Sequence, residues 1–462
     1  MHGEVKRYVA PQAWVDGAWT QEVLLAVAAD GTWASIEPNA VEEAQRGAVR
    51  LAGPVLPGLV NAHSHAFQRA IAGLTERSMG GGDDDFWSWR DRMYSAALRI
   101  TPEQLEAVAA LLYAELLQAG YTQVCEFHYL HNAADGRPYA DPLAMSLALV
   151  RAAQRVGMGL TLLPTLYMRS GFAAHGLRED QRRFASTPDS VLRLAEGVLR
   201  QGGRHVNTGL ALHSLRAVDG AALHELAAAA HASGMAVHIH IAEQMQEVQD
   251  CVAAMGARPV EWLLAHAPVD ARWNLVHATQ STVAELQGVQ RSGASIVICP
   301  TTEANLGDGV FDLPAYAAAG GHWSIGSDSH VTRSWQEELR LLEYSQRLSL
   351  RQRNIAARLP ASSSSADNLF NAALAGGHAA TSLPLGGIAP GQRADFVVVD
   401  TASPALLGIP ADHLLDAIVF SSPDARFSEV FVAGQRAVSG GQVTEWPQLA
   451  AEFSQAMKAL WT

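Results

Sequence analysis

One unit recurs through the middle of this chain: a short apolar run that ends in polar residues, followed by an Ala/Leu/Glu-rich segment. The runs are Val55 to Val60, Thr122 to Phe127, Gly159 to Leu166, Thr208 to Leu212, Ala236 to Ile241, Trp273 to Val276, Ala294 to Cys299 and His322 to Ile325. Runs of this length with polar ends read as buried strands. Between them Thr101 to Ala119, Ser190 to Arg200, Gly220 to Ser233, Met245 to Met255 and Thr282 to Arg291 read as helices, two of them opened by a proline near the first turn. Strands that alternate with helices bury their apolar faces as a parallel sheet covered by helices. Eight such units predict an α/β fold, a (β/α)₈ TIM-like barrel.

Outside this stretch the pattern changes. Arg7 to Ile36 and Asp395 to Val443 carry short β-rich pieces, and both ends are expected to build one small β-sandwich-like domain. The expected division is 1–56 for its N-terminal part, 57–384 for the barrel, and 385–462 for its C-terminal part with a terminal helix. The loop Gly80 to Asp85, directly before Phe86-Trp87-Ser88-Trp89-Arg90, reads as a flexible lid across residues 78–92.

Composition narrows the function. The 46 acidic against 33 basic side chains leave a formal charge of −13, which argues against a phosphate-tracking surface, so no nucleic-acid partner is expected. No stretch approaches the ~20 apolar residues that span a bilayer and the N-terminus has no signal-like apolar core, so no membrane partner and a cytoplasmic location are expected. Cys125, Cys251 and Cys299 lie far apart, which leaves neither a disulfide framework nor a paired-cysteine zinc site. The only lysines are Lys6 and Lys458, so the interior offers no lysine for pyridoxal phosphate, a P-loop or a carbamate bridge.

Histidines mark the strand ends, the face on which barrel enzymes keep their chemistry. After the first run comes Asn61-Ala62-His63-Ser64-His65; alternate residues of a strand point to one side, so His63 and His65 can reach one ion. The fifth run ends His238-Ile239-His240-Ile241-Ala242-Glu243, the sixth ends on His277, and the eighth leads into Gly326-Ser327-Asp328. His240 and Asp328 would complete a nitrogen/oxygen set suited to zinc or iron, while His238 shares the parity of His240 and stays an alternative ligand. Glu243, beyond the strand, can approach the metal-bound water or the leaving group, and His277 can approach the same centre from the neighbouring strand.

This arrangement resembles the amidohydrolase superfamily, whose pattern is HxH after strand 1, His after strands 5 and 6, and Asp after strand 8. Its mononuclear deaminase branch is similar in using HxxE, here His240-Ile241-Ala242-Glu243, and in lacking a bridging lysine. The segment Leu385 to Phe396 resembles the family's return into the small β-domain. The resemblance implies one divalent metal, zinc with iron as the alternative, on His63, His65, His240 and Asp328, with Glu243, His277 and Asp328 catalytic. Within the branch, Asn61 to Arg69, Phe86 to Arg90, Glu126 to Tyr129 and His213 to Arg216 are similar to deaminases acting on a linear formimidoyl group. The implied reaction is conversion of N-formimidoyl-L-glutamate to N-formyl-L-glutamate and ammonia in histidine degradation. A small-molecule dicarboxylate needs specific donors in a net acidic chain; Arg90 and Arg216 are expected to supply them, with Gln68, Tyr129 and His213. A homodimer is expected because related barrels often form one. The alternatives are a deaminase of guanine, adenosine-like or triazine rings, and a metal-free scaffold with the same barrel.

Overall fold

The computed structural model describes residues 5–77, 86–359, 361–421 and 426–462. Eight strands form the barrel: β1 (Leu59–Ser64), β2 (Tyr121–His128), β3 (Gly159–Leu166), β4 (Leu210–Ser214), β5 (Val237–Ile241), β6 (Trp273–His277), β7 (Ser295–Ile298) and β8 (His322–Ile325). Each pairs in parallel with the next, with helices on the outside. Their side chains are buried on both faces, which is why the strands read as apolar runs rather than alternating patterns. The helix of the first crossover, Pro102–Gln118, starts where its cap predicts: Thr101 accepts from the Gln104 amide, and the Gln104 side chain returns to the Thr101 amide.

Closure between β1 and β8 is made by a single bridge just past the end of β8, between Ser64 and Asp328. The Asp328 amide donates to the His63 carbonyl at 3.0 Å, and the His65 amide donates to the Asp328 carbonyl at 3.2 Å. Gly326 makes this approach possible, since a Cβ there would lie 2.6 Å from the His63 Cβ and 2.8 Å from the His63 nitrogen.

The first apolar run is not one strand. Val55–Pro57 joins the other sheet, antiparallel to Phe396–Val399, and only Leu59–Ser64 enters the barrel. Gly58 sits at the bend with no room for a side chain, because a Cβ would fall 2.3 Å from Thr122 Cγ2. The second sheet has eight strands from both chain ends, and Lys6–Val15 and Ala18–Val27 form its long hairpin. Tyr8, Trp33, Phe396 and Phe431 fill a separate core beneath it, the last two stacked at 4.2 Å. Helix Trp446–Trp461 then packs back on the barrel, where the Trp461 indole donates to the Ala70 carbonyl at 3.1 Å. The loop expected to act as a lid, Gly80 to Asp85, lies outside the described residues. Among the described residues no helix is long and apolar enough to cross a membrane.

Because the clash at residue 326 is with strand backbone, Gly326→Ala is expected to cost about 3 kcal/mol, at the upper end of ordinary overpacking. Denaturant unfolding checks this; an unchanged midpoint would show that β8 can move away from β1.

Candidate active site

The C-terminal ends of β1, β5, β6 and β8 converge on one centre. His63 Nε2 lies 3.1 Å from His65 Nε2 and 3.0 Å from His240 Nε2, and the last two are 3.3 Å apart. The His65 Nδ1 faces the Phe127 carbonyl at 2.9 Å, and the His240 Nδ1 faces the His213 carbonyl at 3.0 Å. A carbonyl only accepts, so both rings hold their proton on Nδ1 and turn a lone pair inward from Nε2. Burial keeps these rings neutral: it lowers His63 to about 3 and also lowers His65 and His240. Asp328 Oδ1 completes the group at 3.4 Å from His63 Nε2 and 3.5 Å from His65 Nε2. Neutral imidazoles crowded lone pair to lone pair beside a carboxylate repel unless a cation lies between them. The donor set therefore fits a divalent metal.

His238 is not part of this group. It lies two residues earlier on β5, one layer deeper in the barrel, where its Nε2 bonds the Ala380 carbonyl at 2.8 Å.

Around the centre, charge is organised differently. His277 Nε2 stands 3.6 Å from Glu243 Oε1 and 3.7 Å from Asp328 Oδ2, while its Nδ1 meets Glu303 Oε1 at 3.2 Å. Burial opposes protonation of His277, but the three carboxylates outweigh it and raise the ring to about 10. For Glu243 burial dominates and pushes its carboxyl up, with His277 pulling the other way. His277 and Asp328 both adopt left-handed backbone, φ 69° and 46°, a conformation that costs a non-glycine residue energy and concentrates at working sites.

Two supporting carboxylates, Glu303 and Glu126, have no role assigned by the sequence. Glu303 is anchored by the Cys299 amide at 2.9 Å and aims His277; its only sequence signal is a carboxylate in the first turn of the helix after β7. Glu126 accepts from the Ser64 hydroxyl at 2.7 Å and from the Ala66 amide, bracing the strand end that carries both β1 histidines.

One cavity opens onto this centre, and Gln68, Arg90, Tyr129, His213 and Arg216 all line it. Gln68 Nε2 donates to the Tyr129 hydroxyl at 3.3 Å, and the Arg90 guanidinium lies over the Tyr94 ring at 5.5 Å. Burial disfavours charge on Arg216, yet Glu247, Tyr167 and Glu243 more than compensate and its pKa is raised. Arg169 and Arg333, at similar strand ends, are committed elsewhere. Arg169 donates to the Leu215 and Val218 carbonyls and so shapes the turn bearing Arg216, and Arg333 lies against Glu115. Aromatic walls from Tyr94, Tyr167 and Phe184 were not anticipated, because the segments that carry them are distant in sequence.

If the three imidazoles share one ion, His240→Ala is expected to weaken metal binding by more than the roughly 100-fold that loss of an outer-sphere partner costs. Metal analysis with circular dichroism checks it; full metal content in a folded variant would refute the shared site.

Comparison with known proteins agrees with this architecture. A profile of the amidohydrolase family matches residues 55–437. The chain is 45% identical over 454 residues to a formimidoylglutamate deiminase of Pseudomonas aeruginosa, covering 98% of each chain. It is 26% identical to a 5-methylthioadenosine/S-adenosylhomocysteine deaminase of Halobacterium salinarum over 78% of this chain and 76% of that one. Among solved structures, an amidohydrolase from Brucella melitensis superposes with a TM-score of 0.92 at 42% identity, over 99% of this chain and 100% of that one. An adenosine deaminase from Xanthomonas campestris with bound zinc shares the fold at a TM-score of 0.81 and 22% identity, over 98% of each. With the barrel, its histidine centre and near full-length kinship all in one sequence, the chain belongs to the amidohydrolase family.

Proposed function

We propose that this enzyme hydrolyses N-formimidoyl-L-glutamate to N-formyl-L-glutamate and ammonia, a step of histidine degradation. The observation that carries the reading is the presence of two guanidiniums, Arg90 and Arg216, in the cavity that opens on the histidine centre of a chain with net charge −13. A dianionic substrate would find its two charges answered there, and nowhere by long-range attraction. The 45% identical relative bears the name of this activity. A purine or triazine ring would gain stacking on the aromatic walls but would bring no negative charge to Arg90 and Arg216.

His63, His65, His240 and Asp328 are the proposed ligands, with zinc as the metal and iron as the alternative that the same donors accept. When bound, a divalent ion lowers the pKa of water towards ~7 and so makes a nucleophile available at neutral pH. The chain's own residues do the rest. Asp328 Oδ2, facing His277, takes the proton of the attacking water. Protonated His277 then donates towards the oxygen that gains charge as water adds to the amidine carbon. Glu243, whose raised pKa lets it hold a proton near neutrality, delivers that proton to the departing nitrogen. As the C–N bond breaks and ammonia leaves, the Glu243 carboxylate takes the remaining hydroxyl proton and the formyl C=O forms, while the proton on Asp328 is released with the ammonia. Gln68, Tyr129 and His213 are proposed to hold the substrate beside the two arginines.

Residues 57–384 are proposed as the catalytic unit, with 1–56 and 385–462 as the flanking β-domain. The change of sheet between Pro57 and Leu59 supports the first boundary. The homodimer is proposed because related barrels often form one, and the cytoplasmic location from the apolar patterning and cysteine spacing of the chain.

Glu243→Gln is expected to retain metal yet lose on the order of 10²-fold in kcat, the usual scale for a general acid. Ammonia release with metal analysis tests it, and an emptied metal site would reassign Glu243 as a ligand. A formimidoyl amino acid lacking the side-chain carboxylate is expected to lose about 10²-fold in kcat/KM, or roughly 3 kcal/mol. Equal turnover of that analogue would remove the case for a dicarboxylate pocket.

A further inference from the structure

Gln181 stands behind the wall of the cavity, in the short helical turn Glu179–Phe184, and is completely buried. Its Oε1 accepts from the Arg178 backbone amide at 3.1 Å. A backbone amide can only donate, so this contact settles which end of the side-chain amide is oxygen. The other end, Nε2, must then donate, and it has two partners: the Tyr94 hydroxyl at 3.1 Å and the Tyr167 hydroxyl at 3.0 Å. Each phenol oxygen thereby accepts one bond from Gln181, and each phenol must direct its own proton away from Gln181.

The two hydroxyls are close enough to interact with each other, so one can donate to its neighbour. Two protons and one mutual contact leave at least one O–H to be placed elsewhere. Both tyrosines line the cavity together with Arg90 and Arg216, so the cavity is a direction open to that O–H. Burial also raises the Tyr167 pKa well above its ordinary value, which keeps this phenol a donor at any working pH.

We propose that Tyr94 and Tyr167 present a phenolic O–H to a substrate carboxylate held between Arg90 and Arg216, and that Gln181 is the positioning residue that sets the direction of that donor. The inference rests on the dicarboxylate reading of the cavity and deepens it. Two guanidiniums attract an anion with little preference for where it sits. A neutral O–H aimed by a buried amide adds a geometric requirement, and selects a carboxylate at one fixed distance from the histidine centre.

Gln181→Glu is the sharpest test, because it keeps shape and the contact from the Arg178 amide while turning the two donors into acceptors. The tyrosine protons would then turn back towards residue 181. Tyr94→Phe and Tyr167→Phe remove single hydroxyls and serve if Gln181→Glu does not fold. In metal-loaded enzyme the KM for formimidoylglutamate is expected to rise about 10- to 100-fold in Gln181→Glu, with kcat within about 3-fold of wild type. The penalty should shrink towards wild type for one of the two analogues that lack a single carboxylate. Calorimetric binding of plain glutarate should weaken by a similar factor. That readout does not depend on turnover: wild type that binds glutarate through Gln181 but does not release ammonia from formimidoylglutamate would overturn the proposed reaction and leave this inference standing. Equal glutarate affinity in wild type and in a folded Gln181→Glu or both tyrosine variants would overturn the inference, as would an equal loss on every substrate or a fall in kcat alone.

Discussion

Everything at the centre of this molecule depends on how closely β1 meets β8. Two backbone hydrogen bonds, from Asp328 to the His63 carbonyl and from His65 to the Asp328 carbonyl, tie the last strand to the first. They also fix the Asp328 carboxylate 3.4 Å and 3.5 Å from the two β1 imidazoles. Closure of the barrel and assembly of the site are therefore one event. The absence of a side chain at Gly326 permits both. A (β/α)₈ sheet that failed to close would present an exposed strand edge and would also separate the carboxylate from the imidazoles it serves.

The same small cluster of side chains holds two opposite electrostatic regimes. On the inner side, burial keeps His63, His65 and His240 neutral with lone pairs converging. On the outer side, Glu243, Glu303 and Asp328 surround His277 closely enough to keep it protonated in spite of burial. Neutral nitrogen suits cation binding, and a protonated imidazole suits an oxygen that becomes negative. Identical side chains receive different roles from their neighbours, not from any intrinsic property. Beyond them the cavity turns cationic, with Arg90 and Arg216 facing a chain that is acidic as a whole. Attraction for an anion is thus local, short-ranged and tied to position.

Much of this was legible in the chain because strand period and helix caps are local. The apolar runs marked the barrel strands, and Thr101 with Pro102 marked the start of a helix to within a residue. Parity on β1 brought His63 and His65 together. Where local rules met a tertiary constraint they were incomplete. The run from Val55 to Val60 is continuous in hydropathy but divided between two sheets, because Gly58 packs against Thr122 from the next strand.

Sequence by itself determined the fold class, the absence of interior lysine and cysteine-pair chemistry, and the positions at which histidine, glutamate and aspartate follow strands. Parity on β5 could not separate His238 from His240, since both point to the same side of one strand. Only the tertiary structure decided that His240 reaches the mouth while His238 bonds the Ala380 carbonyl below. It alone also decided which carboxylates aim His277, which arginines face the cavity and which way the Gln181 amide points. The reason is physical: residue type and spacing are properties of the chain, whereas a ring's tautomer, a carboxyl's charge and an amide's polarity are imposed by groups from other strands. Those groups become neighbours only when the barrel closes.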